Sequence, residues 1–227
     1  MIGFLRKTSL MVLFALISHS AAAQPHDWRS GLTQSPPITV PFEMDYQLRN
    51  ERSLPVHFSI QVPLGNGAVQ TQSRALPEGN NYEARFLTAD GALLEYLSVS
   101  SGTIATTTPD EAHRAVFNVI DQFVYPSIDF PPTAEVLGGR IADFNGNPAI
   151  EFMAIRSEPD QAVIVARIVG VVAPNGRDVV FFVQQTLRDR MRIGSPDEMS
   201  MTYAGGVAQS VTFIAYRAAD GITMVPF

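Results

Sequence analysis

Asp110, Glu111 and His113 fall within four residues of one another in the stretch TTTPDEAHRAVF, Thr106 to Phe117. Two carboxylates and an imidazole this close could ligate a metal or pass a proton. The same letters also spell a helix start. Thr108 fits an N-cap and Pro109 the first helical position. Asp110 meets the positive end of the helix dipole, and Glu111 can reach back to the cap. A second copy, SPDE at Ser195–Glu198, follows the same recipe with no histidine after it. The acidic pair therefore needs no catalytic explanation. Asp110 and His113 stay as weak metal candidates, beside the alternatives of a packed histidine and a catalytic base. Zinc would need further ligands, and past residue 23 only His26 and His57 could add imidazoles. The expectation is no metal and no cofactor.

A second constellation is basic. In LRDRMR, read as an extended segment, Arg188, Arg190 and Arg192 share one face, because strand side chains alternate. Ser195 then opens a helix whose free N–H groups point back toward them. Arginines there could hold an anionic ligand or an acidic partner. The bland alternative is a solvated face, since Asp189, Asp197 and Glu198 lie nearby. Three carboxylates, Glu95, Asp143 and Glu151, fall on strand-like runs, and spacing alone does not show that they converge. The run EVLGGRIADFNGNP has no G-x-G-x-x-G, and no serine sits in a G-x-S-x-G elbow.

These residues must be positioned by strands. VHFSIQV alternates. Asp90-Gly91, Asn145-Gly146 and Asn175-Gly176 each separate β-rich runs, as type I′ hairpin turns do. The middle turn leaves room for a longer loop. RSEPDQ links two further runs. Helical spacing occurs twice. Ala112, Val116, Val119, Ile120 and Phe123 share a face in a helix ending near Tyr125-Pro126. Met199, Tyr203, Val207, Val211 and Ile214 form the second stripe. Gly205-Gly206 inside that stripe suggests close approach to another backbone. The order predicts an α+β fold: a mainly antiparallel sheet flanked by two capped helices, in a sandwich. Phe144, Phe152, Phe181 and Phe182 read as core.

The ends and the composition narrow the function. Arg6 and Lys7, the apolar run SLMVLFALI and the sequence SHSAAAQP make a Sec signal peptide over residues 1–23, cut after Ala23. The apolar run is too short to span a bilayer. No cysteine follows it for a lipid anchor, and no twin arginine precedes it. Residues 24–41 read as an extended N-terminal arm and 42–227 as a single domain. The expected location is periplasmic or secreted, with no transmembrane anchor. The whole chain has 16 basic and 22 acidic residues; losing Arg6 and Lys7 leaves the mature form at a net charge of −8. So acidic a chain has no general attraction to nucleic acid. There is no cysteine, so thiolate nucleophiles, disulfides, iron–sulfur clusters and cysteine-ligated zinc are excluded. Lys7 is the only lysine, so the mature form has no Schiff-base or P-loop lysine.

One resemblance rests on the NGNPAIEF hairpin entry, the GRDVVFF strand and the closing SVTF, within Tyr82 to Phe213. In these features the chain resembles the PsbP-like α/β/α sandwich superfamily. That group includes an extrinsic photosystem II subunit, a nuclear-transport factor and bacterial exported or chaperone proteins. The resemblance implies a non-enzymatic binding or assembly role and supplies no catalytic residues. The expected function is an exported, non-catalytic binding or accessory protein whose partner is a protein or a small anionic ligand. The alternatives are a hydrolase built on carboxylates or histidine, and a structural protein of the envelope.

Overall fold

A computed structural model describes residues 37–42, 56–63, 69–75, 82–104, 109–124, 134–157, 163–193, 195–218 and 223–227. Residues 1–23, expected to be a signal peptide, the residues of the expected arm before Pro37, the expected Thr108 cap and the Asp110 side chain lie outside the described residues. So do the Phe123 side chain, the end of the first helix at Tyr125-Pro126 and most of the RSEPDQ link.

The strands are β1 (Pro37–Phe42), β2 (Val56–Pro63), β3 (Val69–Ala75), β4 (Tyr82–Thr88), β5 (Leu93–Thr103), β6 (Glu135–Phe144), β7 (Asn147–Arg156), β8 (Ile164–Val172), β9 (Asp178–Leu187), β10 (Thr212–Arg217) and β11 (Met224–Pro226). The helices are α1 (Pro109–Val119, continued by one wider turn over Ile120–Val124), α2 (Arg188–Met191), α3 (Pro196–Ser200) and α4 (Tyr203–Gln209). The fold is α+β with mostly antiparallel sheets and a few short helices, as the residue pattern predicts.

Instead of one sheet there are two. The larger has seven strands in the order β3-β4-β5-β9-β8-β7-β6; the smaller has four, β1-β2-β10-β11. Every pairing among the described strands is antiparallel. β2 pairs with β1 and β10, and β3 opens the larger sheet, so the chain changes sheets between them. The Thr71 hydroxyl holds that crossing by donating to the Pro63 carbonyl at 2.5 Å.

The large sheet is apolar on both faces, because layers cover both. On one face Ile150, Phe152, Ile168, Phe181 and Val183 pack against Ala112, Val116 and Ile120 of α1. On the other, Phe86, Leu97, Val169 and Phe182 meet Phe58 and Ile60 of β2 and Met199, Tyr203 and Val207 of the α3–α4 region. α1 lies close on β8 at Gly170, where an added Cβ would be 2.5 Å from Cγ1 of Val116.

Three local expectations change. The second helical stripe is two helices and a strand. Thr202 breaks it by capping α4, its hydroxyl accepting from Gly205 N–H at 3.4 Å, and Ile214 lies on β10. Gly205 does meet backbone: a Cβ there would strike the carbonyls of Met199 and Ser200. Gly206 meets nothing. Type I′ geometry occurs only at Asn145-Gly146, where both φ angles are positive (54° and 79°) and the loop is just two residues long. At the other two turns only the glycine is positive, Gly91 at 85° and Gly176 at 68°. Ser195 caps α3 as expected, accepting from Glu198 N–H at 3.2 Å.

Candidate functional site

β8 reads IVARIVGVV, an apolar run broken by a single charge, and that charge, Arg167, is fully buried. Its strand neighbours Val165 and Val169 belong to the core between the sheets, so alternation points Arg167 into the same layer. A lone guanidinium there would be prohibitive; it needs a carboxylate and further acceptors. β7 supplies the carboxylate. Glu151, buried beside Ala149 and Met153 on that face, accepts from Nη2 of Arg167 through Oε1. β9 supplies the acceptor: Oε1 of Gln184 lies 3.3 Å from Nη1 of Arg167. The guanidinium also sits over the Phe144 ring, 5.7 Å from its centroid. Nε of Arg167 is buried without a hydrogen-bond partner among the described residues.

The row continues in both directions. Toward the sheet edge, Nε of Arg140 on β6 donates to Oε2 of Glu151 at 2.6 Å, and its Nη1 donates to Oδ1 of Asp197 on α3 at 2.7 Å. Toward the centre, Nε2 of Gln184 donates to Oε1 of Glu95 on β5 at 2.9 Å and to the Thr202 hydroxyl at 2.7 Å. Oε2 of Glu95 then accepts the N–H of Ala204, in the first turn of α4, at 3.1 Å. The row runs from Asp197 through Arg140, Glu151, Arg167, Gln184 and Glu95 to the start of α4. It therefore fastens α3 and α4 to five strands of the large sheet. Burial draws the Arg167 guanidinium below its usual value, and Glu151 opposes that shift. Hydrogen bonds to Glu151 and Asp197 raise Arg140. Burial pushes the Glu95 carboxyl up, against the hydrogen bonds from Thr202, Ala204 and Gln184.

Of the three strand carboxylates, Glu95 and Glu151 share this face, with Arg167 and Gln184 between them. Asp143 does not join; its Oδ1 accepts Gly146 N–H at 2.8 Å and caps the hairpin turn. On the opposite face a separate buried pair forms, the Tyr96 hydroxyl donating to Oε1 of Glu83 at 2.7 Å. The residue pattern by itself does not single out Arg140, Arg167 or Gln184. The available signal was a charge inside an apolar strand run, and charged residues are almost never fully buried unless paired.

The basic stretch is not extended. β9 ends at Leu187, opposite Ile164, the first residue of β8. With no partner strand beyond, Arg188–Met191 turns as α2 and Arg192 takes a left-handed conformation (φ 50°). Arg188, Arg190 and Arg192 therefore do not share a strand face. Arg188 and Arg192 are exposed; Arg190 is half-buried and lies close enough to Asp90 to lower that carboxyl, behind the larger effect of the Thr88 hydroxyl. His113 is half-buried on α1, with Nε2 buried and without a hydrogen-bond partner among the described residues. His57 is buried on β2, in the other sheet. Among the described residues no three His, Asp or Glu side chains come close enough to hold a metal ion. No described helix is long and apolar enough to cross a membrane.

No protein-family model matches the chain. No curated protein matches it. Among solved structures, the chain is similar to the solution structure of cyanobacterial PsbP (CyanoP) from Synechocystis sp. PCC 6803. The identity is 14%, over 80% of this chain and 95% of that one, with a TM-score of 0.42. This is the group that the NGNPAIEF, GRDVVFF and SVTF stretches resemble. So loose an overlap transfers no residue role to this chain.

Proposed function

We propose that the chain is exported, loses residues 1–23 and works in the periplasm without catalysis, as a binding or accessory protein. One observation carries this reading. Each oxygen of Glu95 and Glu151 already accepts a donor from the chain itself. A general acid or nucleophile needs a carboxylate oxygen within reach of substrate. These oxygens instead fasten α3 and α4 to the sheet, which leaves the work to the surface. The surface contact we assign is the α2 turn, where Arg188 and Arg192 are exposed and can meet an acidic protein or a small anion.

The test is cross-linking in periplasm, with the wild type and with an R188Q/R190Q/R192Q variant. The expected result is a cross-linked species that weakens with salt and is lost in the variant, at an unchanged melting temperature. N-terminal sequencing of the recovered protein should begin at Gln24. The reading falls if hydrolysis of an ester, glycoside or peptide is abolished by Glu151→Gln in a protein that remains folded. That result would favour the carboxylate hydrolase.

A further inference from the structure

β6 is an edge strand of the large sheet; among the described residues it pairs only with β7. An unpaired edge is a template for another strand unless it is blunted. The opposite edge, β3, presents Gln70 and Gln72 to solvent. β6 presents Ile141 at 69% exposure, and Phe117 of α1, also exposed, lies beside Gly139 on the same side.

The hairpin fixes which backbone groups of β6 face outward. Its two-residue loop makes Phe144 and Asn147 the closing pair, which exchanges hydrogen bonds. Pairs then alternate along the ladder. Ala142 bonds with Ala149, and Arg140 with Glu151. Asp143, Ile141 and Gly139 turn their N–H and C=O groups away from β7. Upstream, the register shifts between Val136 and Gly138, and Gly138 has φ 115°. A bulge of this kind ends regular pairing. The pairable edge is therefore Gly139 to Asp143.

We propose that this edge pairs with the same edge of a second copy of the chain, antiparallel, about a two-fold axis at Ile141. Outward groups can bond only to outward groups, so few registers are possible. Centring the axis on Arg140 would set two guanidiniums directly opposite each other. Centring it on Ile141 sets Ile141 against Ile141 and Gly139 against Asp143, and all three outward residues exchange bonds. In that register Arg140 faces Ala142 of the other copy. The Arg140 charge, which would ordinarily blunt an edge, is already neutralised by Glu151 and Asp197. Across the axis the second Ile141 lies diagonal to Gly139, within reach of the Phe117 ring. The two large sheets become one continuous sheet.

Sedimentation of the purified mature chain, residues 24–227, tests this without any other partner, so its outcome is independent of the accessory reading. The wild type should be a reversible dimer. Ile141→Lys should be monomeric with an unchanged melting temperature. Ile141→Pro should be monomeric as well, because it removes an outward N–H and leaves the β6–β7 bonds in place. The chain has no cysteine, so Ile141→Cys is a single probe. The axis sets its two copies about 5.5 Å apart at Cα, within the span of a disulfide. Oxidation should give a covalent dimer, while Arg114→Cys, exposed on α1, should not. A wild type that stays monomeric at every concentration overturns the proposal. So does a dimer that persists in folded Ile141→Lys, or cross-linking at Arg114→Cys as efficient as at Ile141→Cys. If Ile141→Pro does not fold, the lysine and cysteine variants still decide.

Discussion

Gln184 donates to Glu95 at 2.9 Å through its amide nitrogen while its oxygen takes a guanidinium N–H of Arg167 at 3.3 Å. One neutral side chain thus joins a buried acid to a buried base, and only one orientation of the amide serves both. Gln184→Met keeps the volume and removes these two bonds along with those to the Thr202 hydroxyl and the Met199 carbonyl. Two buried ionisable groups then each lose a partner, at about 1–3 kcal/mol apiece. We expect a urea-unfolding loss of several kcal/mol. A loss below about 0.5 kcal/mol, the range of ordinary surface changes, would mean that the amide is not the link.

Glu95 sets a pH dependence. Burial holds its carboxyl above the usual range, so the folded protein keeps this proton to higher pH than the unfolded chain does. The stability this group contributes is full below the unfolded value, about 4.3. It declines as pH rises through the folded value. Glu95→Gln cannot lose the proton, so its stability should stay flatter as pH rises from about 4 upward. Urea midpoints measured across pH for both proteins check this. Parallel curves would show that the Glu95 carboxyl is not held high.

The buried pair gives an order of effects. Glu151→Leu strands Arg167, leaving it only the Gln184 oxygen, and should cost about 3–5 kcal/mol. Arg167→Met should cost less, because Glu151 keeps Arg140. Arg140→Gln should cost about 0–1 kcal/mol, since Arg140 is 46% exposed and Asp197 73%. The double variant Glu151→Leu/Arg167→Met should cost much less than the sum of the singles, as apolar replacement of a whole buried pair often does. Additive singles would mean that the two charges do not depend on each other.

Much of the larger sheet is legible in the residues. YEARFLT and ALLEYLSVS, then AVIVARIVGVV and RDVVFFVQQTL, are hairpins because turn glycines separate runs of strand length. What alternation leaves open is which strand lies beside which. VHFSIQV has the right pattern for either sheet, and only its pairing with β1 and β10 places it in the smaller one. The polar row is hidden for the same reason. Glu95 and Gln184 are 89 residues apart, and their meeting depends on β5 lying next to β9. LRDRMR misleads because the alternation of its arginines runs on to Arg192, past Leu187, where β9 loses its partner. The helical stripe through Val211 and Ile214 misleads because a three-to-four spacing survives the break at Thr202 by coincidence.

α1 is seated on β8 at a position that carries no side chain. Gly170 on β8 faces α1, and a Cβ there would lie 2.5 Å from Cγ1 of Val116 and 3.1 Å from the Phe181 ring. Neither neighbour is the end of a long flexible chain, so Gly170→Ala must push α1 outward. Overpacking of this kind costs about 1–3 kcal/mol. Val116→Ala alone leaves a cavity under a fully buried position and is also destabilising. Together the two changes relieve each other, so the double variant should lose less than the sum, by about 0.5–3 kcal/mol of coupling. The polar row lies on the other face of the sheet. Gly170→Ala should therefore lower stability evenly across pH and leave the Glu95-dependent slope as it is. A wild-type melting temperature for Gly170→Ala would show that α1 does not rest on Gly170. A changed pH slope would show that the two faces are coupled through β8.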